Sequence, residues 1–198
     1  MATLRQEQAQ ATRHRLVDVA TDLFARDGFA DVTTTTLCQA AGMTRGALYH
    51  HFANMGEVME AVLARTEGAL VDRVHRALGT DGDPRDRLLA LGTAFLDVLT
   101  ADPTARRIVF LEAPSALGWS RWRAIDQGRS LALIADLLTA LDDRGQLVPG
   151  VDPDLAAQLL LGAINEAGMR VAATDGRDRR DVATQLELLT RGLLLDPR

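Results

Sequence analysis

The residues from Thr44 to Ala47 begin a short helical pattern with side chains that are small, polar or basic. Such a helix start can approach the base edges in the major groove of DNA, because nothing bulky holds it away. The Arg45 guanidinium could donate two hydrogen bonds to guanine O6 and N7, and the Ala47 methyl group could pack against a thymine methyl group. Gly46 permits close approach. Taken alone, such a helix start is more often a solvated helix end, so the surrounding elements must decide between the two interpretations.

A longer helix and a short one precede this segment. Gly28 is the usual kind of residue to follow the last turn of a helix, and apolar residues spaced three and four apart predict a helical face before it. That face consists of Leu16, Val19, Ala20, Leu23 and Phe24. After it come four threonines, of which Thr33 or Thr34 can cap a short helix with its hydroxyl group. Gly42 must end that short helix.

The second short helix follows Thr44, which is again a possible N-terminal cap. Leu48 and Phe52 are four residues apart and fall on one helix face, which we expect to turn toward the core. Tyr49 and His50 then lie on the outer surface. Two short helices joined across a glycine turn predict a helix-turn-helix.

The rest of the chain predicts further helices and no sheet. Periodic patterns divided by Gly and Pro clusters place them at about 57–78, 85–100, 104–112, 119–142, 154–173 and 179–195. The 31 Ala and 31 Leu far outnumber the 13 Val and 4 Ile, which favours helices over strands. We therefore expect an all-α fold of about nine helices, with a three-helix head at residues 1–53 and a six-helix body at residues 54–198.

The head contains Ala20-x-x-Leu23-Phe24, then Gly28-Phe29, then the run Ala40-Ala41-Gly42-Met43-Thr44-Arg45-Gly46-Ala47-Leu48-Tyr49-His50-His51-Phe52. In residue type and spacing these patterns resemble the DNA-binding head of TetR-type transcriptional regulators. The resemblance implies that phosphate contacts position the protein and come from Thr35, Thr44, Tyr49 and His50. The complete spacing favours DNA binding over a solvated helix end.

One position departs from that resemblance. The family usually has a phosphate-binding lysine at the start of the fourth helix, and this chain has Met55 there. We therefore expect weaker non-specific binding and a salt slope smaller by roughly one unit. The head also lacks net charge, because residues 1–53 carry five arginines and five acids, although the whole chain has a net charge of −5.

The composition and motifs argue against several classes of protein. With 47% hydrophobic and 25% charged residues the chain is globular. Residues 1–8 lack the apolar region of a signal peptide, so we expect a cytoplasmic protein with no membrane partner. Ser115, Ser120 and Ser130 lie in no Gly-x-Ser-x-Gly pattern, and the sequence has no Gly-rich phosphate loop and no His-Glu-x-x-His motif, so we expect no enzyme and no cofactor. Adjacent His50 and His51 point about 100° apart on a helix, which disfavours a metal site.

The last two predicted helices carry more apolar side chains than one core-facing side needs. A helix-turn-helix protein needs a second copy to match a palindrome whose half-sites lie ~34–36 Å apart. We expect the two helices to meet their symmetry mates in a four-helix bundle, as the resemblance also implies. The predicted dimer interface residues are Leu159, Ala163, Ala167, Leu186, Leu189 and Leu193. The alternative is that these side chains belong to the core of one subunit.

The body resembles ligand-sensing domains, which hold an effector in a mostly apolar cavity. Glu112 and Asn165 interrupt apolar runs, and an effector could be the partner that a buried polar side chain needs. The candidate effector-binding residues are Phe95, Phe110, Glu112, Trp119, Trp122, Asn165 and Met169. Each aromatic residue could instead belong to the core, and Asn165 and Glu166 could hydrogen bond across the dimer interface.

These features predict a homodimeric regulator that binds a palindromic operator in double-stranded DNA. We expect it to act as a repressor that a small, largely apolar effector releases. The rival interpretation is an all-helical ligand-binding or interaction protein whose helix-turn-helix head no longer binds DNA. The neutral charge of the head and Met55 favour that rival.

Overall fold

The computed structural model describes residues 4–196 of the chain, which form eleven α-helices and one π-helical turn. The helices are α1 (Leu4–Asp27), α2 (Thr34–Ala41), α3 (Arg45–His51), α4 (Met55–Leu78), α5 (Pro84–Thr100), α6 (Pro103–Arg107), α7 (Ala113–Leu117), α8 (Trp119–Asp126), α9 (Arg129–Asp142), α10 (Pro153–Ala173) and α11 (Arg179–Arg191). The π turn, Ile108–Glu112, lies between α6 and α7. Extended pairing within residues 4–196 is limited to one antiparallel bridge, between Leu147 and Leu194. The all-α prediction is confirmed; residues 1–3 and 197–198, which the predicted head and body include, lie outside the described residues.

The described helices outnumber the nine that the sequence predicts, and their ends differ in three places. The predicted helix at 119–142 is two helices, because Gly128, with φ −60° and ψ −80°, interrupts it. The predicted helix at 104–112 ends in the π turn, because Pro114 has no N–H to continue an α-helical pattern. The last helix ends at Arg191 instead of residue 195, because the chain turns there to pair Leu194 with Leu147.

The first of two compact units contains the residues up to Thr66 together with Arg107–Ile125. In this unit α1 packs against α2 and the π turn, and α2 packs against α3. The fully or almost fully buried side chains at its centre include Leu16, Ala20, Phe24, Leu37, Leu48 and Phe52. The periodic apolar face of α1 therefore supports the two short helices, as the sequence predicts.

The second unit contains Glu67–Arg106 and the residues from Asp126 onward. Here α5 packs against α9, α10 and α11, and α10 packs against α9 and α11. Its buried core includes Leu88, Leu96, Leu99, Leu138, Leu141, Ala157 and Val171. This unit is thus a helical bundle arranged around α5.

The two compact units do not divide the chain where the sequence predicts a boundary. Residues 54–66, at the start of α4, and the inserted segment 107–125 belong to the same unit as the head. The functional boundary between residues 53 and 54 stays a prediction.

A close approach between α5 and α11 depends on Gly92. A Cβ atom at this position would lie 3.0 Å from the Leu186 Cβ and 3.1 Å from its Cδ1. Leu186 is almost fully buried, so its side chain cannot move aside into solvent. The absence of a side chain at Gly92 is therefore what lets these two helices pack.

Gly92→Ala should lower the free energy of unfolding by about 1–3 kcal/mol, because the added methyl group overpacks the contact with Leu186. Urea unfolding measures the change. Gly68→Ala in α4 is the matched control, because only the flexible end of Arg129 comes within 3.4 Å of its added Cβ. The control should gain up to ~1 kcal/mol from helix propensity. Equal stability of the two variants would contradict this account of the packing.

Candidate nucleic-acid interface

Helix α2 has a hydrogen-bonded cap at each end. The Thr33 hydroxyl oxygen accepts the Thr36 N–H at 3.1 Å, which selects Thr33 from the two predicted caps. At the other end Gly42 takes the left-handed conformation, with φ +67°. The Cys38 carbonyl then accepts the Met43 N–H at 2.9 Å. These bonds satisfy groups that a helix of eight residues leaves open at both ends, and they fix the turn into α3.

Helix α3 begins at the predicted cap. The Thr44 side-chain oxygen accepts the Ala47 N–H at 3.2 Å. Its hydroxyl hydrogen is still available as a donor for a DNA phosphate. Leu48 and Phe52 are 1% and 3% exposed, so the predicted inward face is confirmed.

Five of the seven predicted DNA-contacting residues lie on α3, and four of these five are exposed. Arg45, Gly46 and His50 are exposed, Tyr49 is 52% exposed, and Ala47 is half-buried. The structure therefore places all five on one short helix whose N-terminal end is open. A helix start of this shape can enter a major groove.

Thr35 and Arg45 come together although they lie on different helices. The Arg45 guanidinium donates a hydrogen bond to the Thr35 hydroxyl oxygen. Both side chains are exposed. The sequence predicted a phosphate contact for Thr35 and a base contact for Arg45, and the structure adds that the first side chain can orient the second.

Cationic groups line the edge of the head near the end of α3. The Arg13 guanidinium carbon lies 4.9 Å from the centroid of the Phe52 ring, a distance suited to a cation–π contact. Partial burial, helped by the neighbouring His50 and Arg13, lowers the pKa of His51. The Arg13 guanidinium therefore contributes a positive charge to this edge.

Helix α4 begins with a reciprocal cap that the sequence analysis missed. The Asn54 side-chain oxygen accepts the Glu57 N–H at 3.0 Å, and the Glu57 carboxylate accepts the Ala53 N–H at 2.8 Å. A capping residue followed three positions later by glutamate is a recognisable signal of a helix start. Met55, where the family resemblance implies lysine, lies half-buried inside this cap.

Arg65 of α4 joins α1 in a second contact that the sequence analysis missed. Its guanidinium donates to the Thr21 hydroxyl oxygen at 2.7 Å, to the Val17 carbonyl at 3.2 Å and to the Asp18 carboxylate. These partners lie 44 to 48 residues away in the sequence, and no local pattern marks them. The fork of donors on arginine suits such a three-way contact.

Two family models match this chain. The model of bacterial regulatory proteins of the tetR family matches residues 16–62. The model of the tetracyclin repressor-like C-terminal domain matches residues 85–193, which is more than half of the chain. The chain belongs to the TetR family. The family resemblance of the head is thereby confirmed.

Individual relatives match either part or nearly all of the chain. The transcriptional regulator SrpR of Pseudomonas putida is 40% identical over 70 residues, which are 35% of this chain and 33% of SrpR. The matched segments cover 33% to 65% of the lengths of four curated relatives. A TetR-family regulator from Pectobacterium atrosepticum, known as a crystal structure, is 29% identical, covers 98% of this chain and 99% of its own, and superposes with a TM-score of 0.80.

A third comparison concerns the fold alone. FadR from Bacillus subtilis, solved in complex with stearoyl-CoA, is 21% identical to this chain. The match covers 91% of this chain and 98% of that one, with a TM-score of 0.72. The helical arrangement of this chain is therefore shared with a distant regulator.

Four of the predicted effector-binding residues lie in the first unit, where they already have partners. Trp122 is fully buried and its indole N–H donates to the Val109 carbonyl at 2.8 Å. Its ring lies 6.3 Å from Phe110 and 5.0 Å from the half-exposed Trp119, measured between centroids. Both Glu112 carboxylate oxygens accept hydrogen bonds from the chain. An effector is therefore not needed to satisfy Trp122 or Glu112.

The other three candidates, Phe95, Asn165 and Met169, lie in the second unit. Phe95 is 8% exposed and Asn165 is 3% exposed. The Asn165 amide donates to the Asp126 carboxylate, which is also buried. Asn165 thus has a hydrogen-bond partner within its own subunit. Contact of the seven candidates with an effector stays a prediction.

The six predicted dimer interface residues line two surface grooves on α10 and α11. One groove, of about 490 Å³, is lined by Ala163, Ala167, Leu186 and Leu189, and the other, of about 360 Å³, by Leu159, Ala163, Leu189 and Leu193, among other residues. Leu159 is 67% exposed and Leu189 is 60% exposed, whereas Ala167 and Leu186 are buried within the subunit. The same helices thus supply both core and an open apolar surface.

No single helix within residues 4–196 is long and apolar enough to cross a membrane. One bent pair, Pro84–Thr100 with Pro103–Leu117, meets the requirement by length and composition alone. Within the same residues no cluster of three His, Cys, Asp or Glu side chains could hold a metal ion.

A buried acid lies beside Asp126 in the second unit. Glu67 is 5% exposed, and its carboxylate accepts a hydrogen bond from the Ser130 hydroxyl at 3.2 Å. Burial, helped by the charge of Asp126, raises the pKa of Glu67 from 4.5 to about 8. The folded chain therefore keeps a proton that the unfolded chain releases between these two pH values.

Stability should fall as the pH rises from about 4.5 to 8, by up to ~1.4 kcal/mol per pH unit, because the folded state binds more protons in that window. Glu67→Gln should flatten this slope, since glutamine keeps a partner for Ser130 and does not titrate. Urea unfolding at pH 5, 6, 7, 8 and 9 measures both profiles. Asp136→Asn, at an exposed position of α9, is the control and should keep the wild-type slope. Parallel profiles for wild type and Glu67→Gln would contradict the raised pKa.

Proposed function

We propose that this chain is a cytoplasmic, homodimeric transcriptional regulator that binds a palindromic DNA operator and is not an enzyme. The observation that carries the proposal is the exposed N-terminal end of α3. There Thr44 caps the helix, Arg45 and Gly46 face solvent, and Leu48 anchors the helix in the core. Family membership and the regulators among its relatives support the same function.

In the proposed complex α3 enters the major groove. Arg45 reads a guanine through two parallel hydrogen bonds, and Ala47 contacts a thymine methyl group. Thr35, Thr44, Tyr49 and His50 hold the phosphates on either side. In the free protein the bond to the Thr35 hydroxyl already holds the Arg45 side chain near the groove-facing end of the helix. On DNA binding the Arg45 guanidinium leaves Thr35 and bonds to a base edge.

The second copy docks on the grooves of α10 and α11. Exposed leucines are costly in water and gain about 1.5–3 kcal/mol each when they are fully buried. Four of them, Leu155, Leu159, Leu188 and Leu189, lie on these two helices. With a two-fold axis through this surface, the same residues of both subunits would contact each other. The dimer would then have the symmetry of a palindromic operator.

We infer that the protein is a repressor and that a small, largely apolar effector releases it from DNA. An effector that changes DNA occupancy from 99% to 1% must favour the released state by about 10⁴-fold. FadR from Bacillus subtilis was solved with stearoyl-CoA, so acyl-CoA thioesters are one class to titrate. Release of operator-bound protein by any of them, followed by fluorescence anisotropy, tests the effector proposal.

Arg45→Ala should weaken binding to the preferred duplex by about 1–3 kcal/mol and relax the preference for guanine at one position of each half-site. The duplex is one that the wild-type protein enriches from a random-sequence library. Arg144→Ala, which removes one exposed arginine outside the head, is the control and should change neither property. An equal loss on all duplexes, with a salt slope lower by about one, would assign Arg45 to a phosphate instead.

Leu159→Glu combined with Leu189→Glu should convert a dimer to single chains, because it places like charges on both sides of a two-fold interface. Sedimentation equilibrium reads the mass against the 21.4 kDa of one chain. Ala124→Glu with Ala132→Glu, at exposed positions of α8 and α9, adds the same charge and should leave the dimer intact. A double leucine variant that stays dimeric would exclude this surface as the interface.

A further inference from the structure

The end of α1 is held by two side chains from the inserted segment 107–125. The Glu112 Oε2 atom accepts the Phe29 N–H at 2.8 Å, and the Oε1 atom accepts the Arg107 Nε–H at 3.0 Å. Arg107 also donates from Nη1 to the Arg26 carbonyl at 3.2 Å. We call this arrangement of Arg107 and Glu112 on the α1 end the Glu112 clamp. Its residues all belong to the first unit.

The backbone at the end of α1 needs the partners that the Glu112 clamp supplies. Gly28 turns the chain out of the helix with φ +91°, and its N–H still bonds to the Phe24 carbonyl at 3.1 Å. The next N–H, that of Phe29, has left the helical pattern, and the Arg26 carbonyl is one of the last four of α1 that lack a helical donor. An unpaired backbone group at such a site is costly. The clamp therefore stabilises this one geometry of the turn toward α2.

The π turn explains how Arg107 and Glu112 come to face each other. They are five residues apart, a separation that does not bring side chains together on an α-helix, where neighbours are three or four apart. In the π turn the Ala113 N–H bonds to the Ile108 carbonyl, five residues back, so residues at this separation do lie on one side. Pro114 favours the wider turn, because its ring would clash with the Phe110 carbonyl in an α-helix.

The position of the Glu112 clamp along the chain gives it a functional consequence. The chain enters the first unit for the second time at Arg107, directly after the second unit ends its first segment at Arg106. The first side chain of the inserted segment is thus already bonded to the end of α1. A displacement of Arg107 would therefore disturb its hydrogen bond to the Arg26 carbonyl, next to the turn that leads to α2.

We propose that Glu112 is a positioning residue for DNA recognition: it holds the Phe29 amide and so sets the angle at which α2 and α3 leave α1. This proposal rests on the proposed function and gives Glu112 a role other than effector contact. Pro114 is the second positioning residue, because it keeps Glu112 in the register that reaches Phe29. A change of register in residues 107–114 would withdraw the carboxylate from the turn and release the DNA-reading helices.

Hydrogen exchange of the Phe29 amide tests the clamp without DNA. Glu112→Ala should raise its exchange rate about tenfold or more, the expected effect of losing a hydrogen bond to a charged acceptor. Glu112→Gln keeps an acceptor oxygen and should stay closer to wild type. Pro114→Ala should behave like Glu112→Ala, although Glu112 is still present. Unchanged Phe29 protection in Glu112→Ala would overturn the clamp, and unchanged protection in Pro114→Ala would overturn the role of the π turn.

Affinity for the enriched duplex, measured on the same full-length variants, tests the consequence for DNA recognition. Glu112→Ala should lose about tenfold in affinity, with a urea midpoint that shows the chain is still folded. Asp136→Ala removes one exposed acid from α9 and is the control for charge. Combining Arg107→Glu with Glu112→Arg restores an ion pair but offers Phe29 no acceptor, so it should not recover affinity. Full recovery would overturn the role of the amide contact.

The two readouts separate this proposal from the proposed function. If the wild-type protein binds no duplex, the proposed function fails, while hydrogen exchange at Phe29 still decides whether the clamp exists. If the wild type binds and Glu112→Ala binds equally well with Phe29 exposed to exchange, the clamp exists but does not position the DNA-reading helices, and the proposal is overturned.

Discussion

Helices of eight and seven residues do not hold their shape alone in water, because isolated helices shorter than about 12–15 residues are marginal. Both α2 and α3 are that short, and every polar group at their ends needs a partner. Caps from Thr33 and Thr44 satisfy part of that need, and burial of Leu37 and Leu48 in the core of the first unit stabilises the two helices further. The proposed DNA-reading surface on α3 thus depends on α2 and, through α2, on α1.

Helix α1 packs against α2, and α2 packs against α3. The contacts that hold α1 therefore also help to fix the position of α3. Two contacts do so within the first unit. Arg65 of α4 donates hydrogen bonds to the middle of α1, and the Glu112 clamp bonds to the end of α1. In both contacts a charged side chain hydrogen bonds to a backbone atom. Such a bond depends on the orientation of the two groups, whereas apolar packing depends mainly on their distance. The first unit therefore combines an apolar core, which fixes distance, with polar contacts, which fix orientation.

Local patterns were sufficient to predict the head. Glycine at helix ends, threonine at helix starts and apolar spacing each act over a few residues, so Gly42, Thr44 and Leu48 were placed correctly. The body was harder to predict, because its decisive contacts join distant residues. Phe29 and Glu112 are 83 positions apart, and Asp126 and Asn165 are 39 apart. The interrupted helix at Gly128 was missed because a single glycine only weakens a helix, and the surrounding packing decides whether it breaks.

A polar residue inside an apolar run shows that a partner exists, but it does not show which one. For Glu112 and Asn165 the sequence allowed an effector, and the structure shows partners within the chain, namely Phe29, Arg107 and Asp126. On an α-helix, side chains five residues apart are not neighbours, so the spacing of Arg107 and Glu112 predicts no contact. Pro114, two residues later, is a local sign that the helix departs from the α-helical pattern. Buried polar groups in such a body are therefore better regarded first as contacts that orient helices, because each satisfied pair restricts the angles that packing alone leaves open.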